Sequence, residues 1–598
     1  MESFKKIYFM LNAVEKKKFL LLFFLILIMA FFDVLGVASI VPFVTLLTNP
    51  NLIETNDILV RLYNIFSNYG VDTTEKFIFI FGVLFFILTL ISILLRAVTT
   101  YALTYFSLMR EYSIGKRLIK SYLFQNYIWF LDRNSSEIAK SILSEVKQVV
   151  DLTFVPLMRI ISNFFVAFAL ILLLILSNPK LAFVVGFALI SIYGLTFYII
   201  KNFLLKIGAE RVRANQARFE VVSEAFGATK EVKLGNFEQF YIKKFSRNAK
   251  IFSKSQVIAR ILALLPRYFI EALVFGGMII FIIVLMKNGS SFLSIMPTIS
   301  LYLFAGYRLL PVLQQIYDSV TRLQFSSKAV DLIYDDLRNL ENKKVVNDSK
   351  EIISFNNSIN LTDVNFSYSN NSKAALKNIN LSIKAFSKVG IVGSTGSGKT
   401  TIVDIILGLL DCNSGEISVD ELAINEKNKR SWQKNIGYVP QQIYLSDTTI
   451  ARNIAFGIDE NDIDFNKVKQ VSKIANLHDF VIEKLSKGYN TVIGERGVTL
   501  SGGERQRIGI ARALYNDPKV IIFDEATSAL DNITEKTVLN AIDELKNKVT
   551  IIMIAHRLAT VKNCDLILMI KNGEIISRGS YDELSKSNQE FKKMTKSL

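Results

Sequence analysis

A chain of 598 residues, 51% hydrophobic, with 45 phenylalanines and a mean hydropathy of +0.33, is too long for one small domain and too apolar for a disordered one. Its two cysteines, Cys412 and Cys564, have neither disulfide nor metal-ligand spacing, which excludes a disulfide-stapled scaffold and reads as reduced cytosolic thiols. The net charge of +17 invites a nucleic-acid partner, but 39 of the 70 basic and only 25 of the 53 acidic side chains precede position 355. The surplus belongs to the apolar half, and no nucleic-acid partner is expected.

In chain order, residues 1–18 place Phe4, Ile7, Tyr8, Leu11 and Val14 at helical spacing beside Lys5, Lys6 and Lys16–Lys18, the pattern of an interfacial helix on an anionic membrane face. Apolar segments of membrane-spanning length follow, near 19–47, 77–109, 155–177, 180–205, 268–287 and 292–315. Pro42 is a candidate kink in the first. Six spans return both chain ends to one side. The N-terminal tail and the segments 96–154 and 201–267 are rich in Lys and Arg, whereas the opposite loops hold only Arg61, Lys76, Lys180 and Lys287. Positive-inside orientation puts the N-terminus and everything after the sixth span in the cytosol. The external stretch Ile58–Phe66 reads as a short amphipathic helix, either lying on the outer leaflet or packed on its neighbours. A polar stretch over 335–354 reads as a linker, so the expected division is a membrane domain over 1–334 and a soluble domain over 355–598.

The soluble part carries the sharpest motifs. Gly393-Ser394-Thr395-Gly396-Ser397-Gly398-Lys399-Thr400 matches G-x-x-x-x-G-K-[ST] between a strand-like Val389–Val392 and a helix-like run beginning at Thr401. The glycines let backbone amides wrap phosphates, Lys399 reaches β/γ oxygens, and Thr400 offers a hydroxyl to Mg²⁺. A second strand, Val520–Phe523, ends in Asp524 and Glu525, at the edge where open α/β sheets bind ligands. One acid can hold a metal through water while the other polarises an attacking water. Upstream, Leu500-Ser501-Gly502-Gly503-Glu504 opens a helix whose first N–H groups suit an anion.

The glycine loop, the Leu500–Glu504 pentapeptide, the strand with its two acids and Ser528-Ala529-Leu530-Asp531, in this order, resemble the nucleotide-binding domain of an ATP-binding cassette (ABC) transporter. That resemblance implies an ATP hydrolase using ATP and Mg²⁺. Tyr368 would stack on adenine, and Gln441 would touch Mg²⁺ and the attacking water. Thr401 and Asp524 would complete the nucleotide contacts, with Asp524 on the metal side. Glu525 would be the general base, His556 the switch at the γ-phosphate and Asp531 the link between two sites. The pentapeptide would bind the ATP of a partner subunit, which implies a second copy of the chain. The expected fold class is an all-α six-helix transmembrane domain plus an α/β P-loop domain, with couplers near Phe130–Glu137 and Ala228–Phe237.

Charges inside apolar spans mark candidate function, because each costs at least ~2.5–3.5 kcal/mol at a helix centre. They are Asp33, Arg96, Arg159, Arg267, Glu271 and Arg308. Arg267 and Glu271 are spaced to pair with each other. Arg96, Arg267 and Arg308 are the candidate substrate residues, since arginine forks suit phosphate oxygens. The run from Asp33 to Phe43 and the overall layout resemble PglK-type ABC flippases, which implies a polyprenyl-pyrophosphate-linked oligosaccharide as substrate in a bacterial cytoplasmic membrane. The alternative is a multidrug or lipid-A-type lipid exporter moving another amphipathic lipid. A peptide exporter is less expected, because no protease domain with a Cys/His pair precedes the first span.

Overall fold

The N-terminal part of the chain, with few glycines and prolines, folds as long helices. The computed structural model describes residues 2–48, 57–67, 73–177, 179–287, 292–341, 353–368, 374–494, 497–525, 548–555 and 557–596, with the backbone alone over most of 273–299. These form two compact units, one of residues 1–125 with 130–343 and the other of 126–129 with 344–598.

The first unit is built on six long helices: α1 (Ala13–Ala38), α2 (Thr74–Leu123), α3 (Val155–Ser177), α4 (Pro179–Gly227), α5 (Glu238–Lys287) and α6 (Phe292–Glu341). Four helical stretches among the described residues, 13–47, 74–123, 135–177 and 182–227, are long and apolar enough to cross a membrane. The two further spans expected at 268–287 and 292–315 fall in α5 and α6, where much of each apolar window lies outside the described side chains. A 50-residue helix such as α2 is about 75 Å long, more than twice the ~30 Å hydrocarbon layer, so these helices extend far past any bilayer.

α1 starts with a capping box. Glu15 N–H donates to Asn12 Oδ1 and Asn12 N–H to Glu15 Oε2, both at 2.9 Å. The helix breaks at Ser39 before resuming as Ile40–Thr48. Pro42 is the cause: it has no N–H for the Ala38 carbonyl four residues back. The kink therefore falls one turn before the proline. At the N-terminus, Glu2–Met10 is helical, with Ile7, Met10 and Leu11 turned inward and Phe4, Tyr8 and Val14 exposed. The helix Asp57–Ser67 sets Leu59, Tyr63 and Phe66 against Leu46 and Phe77, and among its described apolar side chains Ile65 is the one that stands out.

One sequence boundary moves. The polar stretch assigned to a linker from position 335 is helical through Glu341, because Leu337 and Leu340 are buried and continue the apolar face of α6. Asn126–Trp129, immediately before the stretch expected as a coupler at Phe130–Glu137, groups with the C-terminal unit. Its Ile128 packs against that unit's core. Thr229–Leu234 forms a short helix inside the second expected coupler.

Before α3 the chain runs through two π-helical stretches, Ser141–Glu145 and Val150–Phe154. The first carries Glu145, buried with Arg211 of α4 at 3.2 Å and with Asn215 at 2.8 Å. Gly208 lies nearby, where a Cβ would stand 2.1 Å from the Phe325 carbonyl oxygen of α6. Only glycine permits this helix crossing.

The second unit holds two sheets. Strands β1 (Ser358–Phe366), β2 (Leu376–Lys384), β4 (Ser414–Val419) and β5 (Leu422–Ala423) make an antiparallel sheet in the order β2-β1-β4-β5. Strands β3 (Lys388–Gly393), β6 (Ile436–Val439), β7 (Val520–Asp524), β8 (Thr550–Ile554), β9 (Leu566–Lys571) and β10 (Glu574–Gly579) form the other, in the order β10-β9-β3-β8-β7-β6. All its neighbours are parallel except β9 and β10. β7 and β8 are buried nearly throughout, as runs of large aliphatic residues covered on both faces require.

Candidate nucleotide site and intramembrane charge cluster

The register of the parallel sheet assembles the soluble site. Ile391 of β3 pairs with Ile554 of β8, and Ile554 pairs with Asp524 of β7. The loop leaving β3 and the acids ending β7 therefore emerge at one edge, two strand spacings or about 10 Å apart. The loop feeds α7 (Lys399–Ile406). Gly398 has φ +107°, and a Cβ there would meet the Ala375 carbonyl at 2.9 Å, so the turn into α7 needs glycine. Lys399 Nζ donates to the Gly393 and Ser394 carbonyls at 2.9 and 3.0 Å. Burial pulls its pKa down, while Glu525 and Asp524 pull it up.

Gln441 Nε2 donates to Glu525 Oε2 at 2.6 Å, which joins two of the expected catalytic residues. Glu525 adopts φ +51°, a strained conformation for a residue with a side chain, and its N–H is held by the Ile554 carbonyl at 3.2 Å. Tyr368 shares a 3.2 Å hydrogen bond with the Thr401 hydroxyl and packs edge-on against Phe366. Thr400, Gln441 and Asp524 offer oxygen donors of the kind Mg²⁺ takes; three are too few for a protein cage and suit an ion shared with phosphates. His556 and Asp531, expected at the γ-phosphate and between sites, lie outside the described residues.

The signature pentapeptide caps α8 (Gly502–Leu514). Ser501 N–H donates to Glu504 Oε2 at 2.7 Å, and Glu504 N–H returns to Ser501 Oγ at 3.3 Å. Glu504 is thereby spent on its own helix start. The Gly502 and Gly503 N–H groups, which the helix cannot satisfy internally, remain to face an anion.

Two residues here were not singled out from sequence. Tyr438 on β6 donates its hydroxyl to Asp524 Oδ2 at 3.2 Å. Burial and Asp524 push the tyrosine pKa up. Asp404 on α7, 9% exposed, is pushed up to about 6 by burial and then by Asp524. A buried carboxyl one turn past the P-loop threonine was the available signal; the tyrosine becomes visible only through the β6–β7 pairing.

In the membrane unit the candidate arginines separate. Arg96 of α2 and Arg308 of α6 both bind Asp33 of α1, at 2.5 and 3.0 Å, and Ser92 donates to the same carboxylate. Arg267 instead pairs with Glu271 at 2.7 Å, one turn along α5. That pair lines a cavity of about 540 Å³ with Tyr193, Tyr302, Tyr307 and Gln314. The three arginines thus do not form one cluster. Asp33, noted from sequence only as an intramembrane charge, is what unites two of them. Arg159 is exposed.

A P-loop whose lysine, two strand-end acids and glutamine meet at one sheet edge, with a signature-capped helix, defines an ATP-binding-cassette domain, here on a chain that also carries helices of membrane length. Residues 376–528 match the ABC transporter domain and 58–264 the ABC transporter transmembrane region. The chain is 30% identical over 456 residues to ABC transporter B family member 29, chloroplastic, of Arabidopsis thaliana, covering 76% of this chain and 70% of that one. The chain belongs to the ABC transporter family. It is 45% identical over 226 residues to an ATP-dependent lipid A-core flippase of Saccharophagus degradans, a match spanning only 38% of either chain. A flippase of the same description from Ralstonia nicotianae is 29% identical over 497 residues, 82% of this chain and 83% of that one. A bacterial Atm1-family ABC exporter solved with ATP bound shares the fold, at TM-score 0.76 and 22% identity over 98% of this chain and 99% of that one. These relatives support the lipid-exporter alternative better than the polyprenyl-pyrophosphate reading.

Proposed function

We propose that this chain is one half of a dimeric, ATP-driven exporter that moves an amphiphile with an anionic head, of the lipid A-core type, across a bacterial cytoplasmic membrane. The observation that carries the reading is the pair of arginines held by one carboxylate among the long apolar helices, on a chain with a complete set of ATP-site motifs. A pyrophosphate-linked glycan is the second reading; the Asp33–Phe43 segment favours it, and the same arginines would serve its head. Each charge of either head would meet a penalty of at least ~2.5–3.5 kcal/mol in unassisted hydrocarbon.

In this reading Lys399 exchanges the Gly393 and Ser394 carbonyls for β/γ-phosphate oxygens, and Tyr368 stacks on adenine. Glu525 accepts a proton from the attacking water, and Gln441, already on its Oε2, holds the carboxylate in place. Bound Mg²⁺, held by Thr400, Gln441 and Asp524, would neutralise phosphate charge. The Gly502 and Gly503 amides of one copy close on the phosphates of the other, so one copy cannot finish a site. ATP binding closes the pair and turns the membrane helices outward; hydrolysis resets them.

The test is ATPase activity in proteoliposomes with lipid A-core, with a polyprenyl-pyrophosphate glycan and with neither. Stimulation by the first is expected. Stimulation by the second alone would move the assignment to the second reading, and stimulation by uncharged drugs alone would overturn both. Glu525→Gln should lower turnover at least ~100-fold, as loss of a general base does, while ATP binding measured by equilibrium dialysis persists.

A further inference from the structure

The Asp33 carboxylate is 1% exposed, and both of its oxygens are committed: Oδ2 to Arg96, Oδ1 to Arg308 and Ser92. It ties the apolar stretches of α1 and α2 to α6. Two guanidiniums face one carboxylate, so the cluster keeps one surplus positive charge among the described residues. Each arginine spends one terminal nitrogen on Asp33, and their remaining N–H donors have no protein acceptor among the described residues. The Arg308 side chain is 10% exposed and that of Arg96 39%, so the cluster opens on the Arg96 side. Guanidinium donors left over from Asp33, beside a surplus positive charge and open on the Arg96 side, suit an anion with several oxygens.

We infer that Asp33 is a resident counter-ion, occupying the arginine pair in place of the substrate's phosphate and setting how strongly the site prefers an anionic head over an uncharged one. With no ligand, the carboxylate lowers the cost of holding two cations in the bilayer. An arriving phosphate brings its oxygens to the open donors of Arg96 and competes with Asp33 for the rest. An arginine pair without Asp33 would hold the head too tightly to release it. Asp33 is thus a specificity-determining residue rather than a substrate ligand. The inference deepens the anionic-head reading of the proposed function and rests on it.

The experiment compares retention of phosphatidic acid and of phosphatidylcholine with the same acyl chains by native mass spectrometry of the full-length protein. Asp33→Asn raises the surplus charge by one, so the ratio of acid to choline lipid should rise about tenfold, the scale of one charge at a partly screened site. The double variant Asp33→Asn/Arg308→Gln restores the wild-type net charge and should restore the wild-type ratio; it also keeps the test alive if the single variant does not fold. Ser92→Ala, which changes no charge, should lower the melting temperature and leave the ratio alone. An unchanged ratio in Asp33→Asn, or a double variant that fails to return to the wild-type ratio, overturns the inference. A ratio that follows charge while no anionic lipid stimulates the ATPase leaves this inference standing and removes the transport reading.

Discussion

Removing one hydroxyl, in Tyr438→Phe, tests how the metal-side acid is positioned. The tyrosine donates to Asp524 Oδ2 at 3.2 Å, long for a hydroxyl on a carboxylate, so its contribution sits at the low end of charged hydrogen bonds, about 1.5 kcal/mol. That corresponds to roughly tenfold, the lower bound for losing a residue that orients a metal ligand. The expected result is a half-saturating Mg²⁺ concentration raised about tenfold at fixed ATP, with little change in maximal rate. Binding of Mn²⁺ with ADP, followed by electron paramagnetic resonance, should weaken by the same factor without relying on turnover. Nucleotide binding in excess EDTA should stay as in the wild type, because Lys399 and Tyr368 make their hydrogen bonds to Gly393, Ser394 and Thr401 and not through Tyr438. An unchanged metal midpoint in both assays would refute the positioning role and leave Tyr438 a packing residue of β6.

Asp404→Asn removes a carboxyl whose pKa is raised from 3.8 to about 6. In the window between those values the folded chain keeps a proton that the unfolded chain has given up, so stability is lost as pH rises through it. The variant should flatten that dependence and gain on the order of 2 kcal/mol near pH 7, read from melts in detergent across the window; a profile as steep as wild type would refute the assignment. Glu145→Ala strands the fully buried Arg211, whose Nε and Nη1 already have no hydrogen-bond partner among the described residues. A loss of about 3–5 kcal/mol is expected, measured as a fall in thermal midpoint, whereas Glu145→Gln should recover part of it by keeping the Asn215 contact.

The parts legible in the sequence are those where chemistry needs consecutive residues. A phosphate is wrapped by successive backbone amides, so the run Gly393–Thr400 reads directly, and so does the signature, whose serine and glutamate cap each other three residues apart. The strand ending in Asp524 and Glu525 is equally plain, because a buried parallel strand must be apolar on both faces. Membrane-length segments follow from hydropathy alone. Their ends do not, since helices α2, α4, α5 and α6 continue well past the hydrocarbon on buried faces that no charge count reveals. Nor does local sequence reveal that Asn126–Trp129 groups with the C-terminal unit, which follows from the packing of Ile128 on residues hundreds of positions away.

The tertiary structure decided which charges share a partner. Arg96 and Arg308 lie 63 and 275 positions from Asp33, and nothing in their local sequence selects it over Glu271, which goes to Arg267. Sequence alone determined that the chain would bind a nucleotide with a P-loop and would carry charge into apolar helices. Helix packing determined that two of those charges would be held by one carboxylate, because in a low-dielectric layer a cation is stable only beside whichever anion the fold brings within reach.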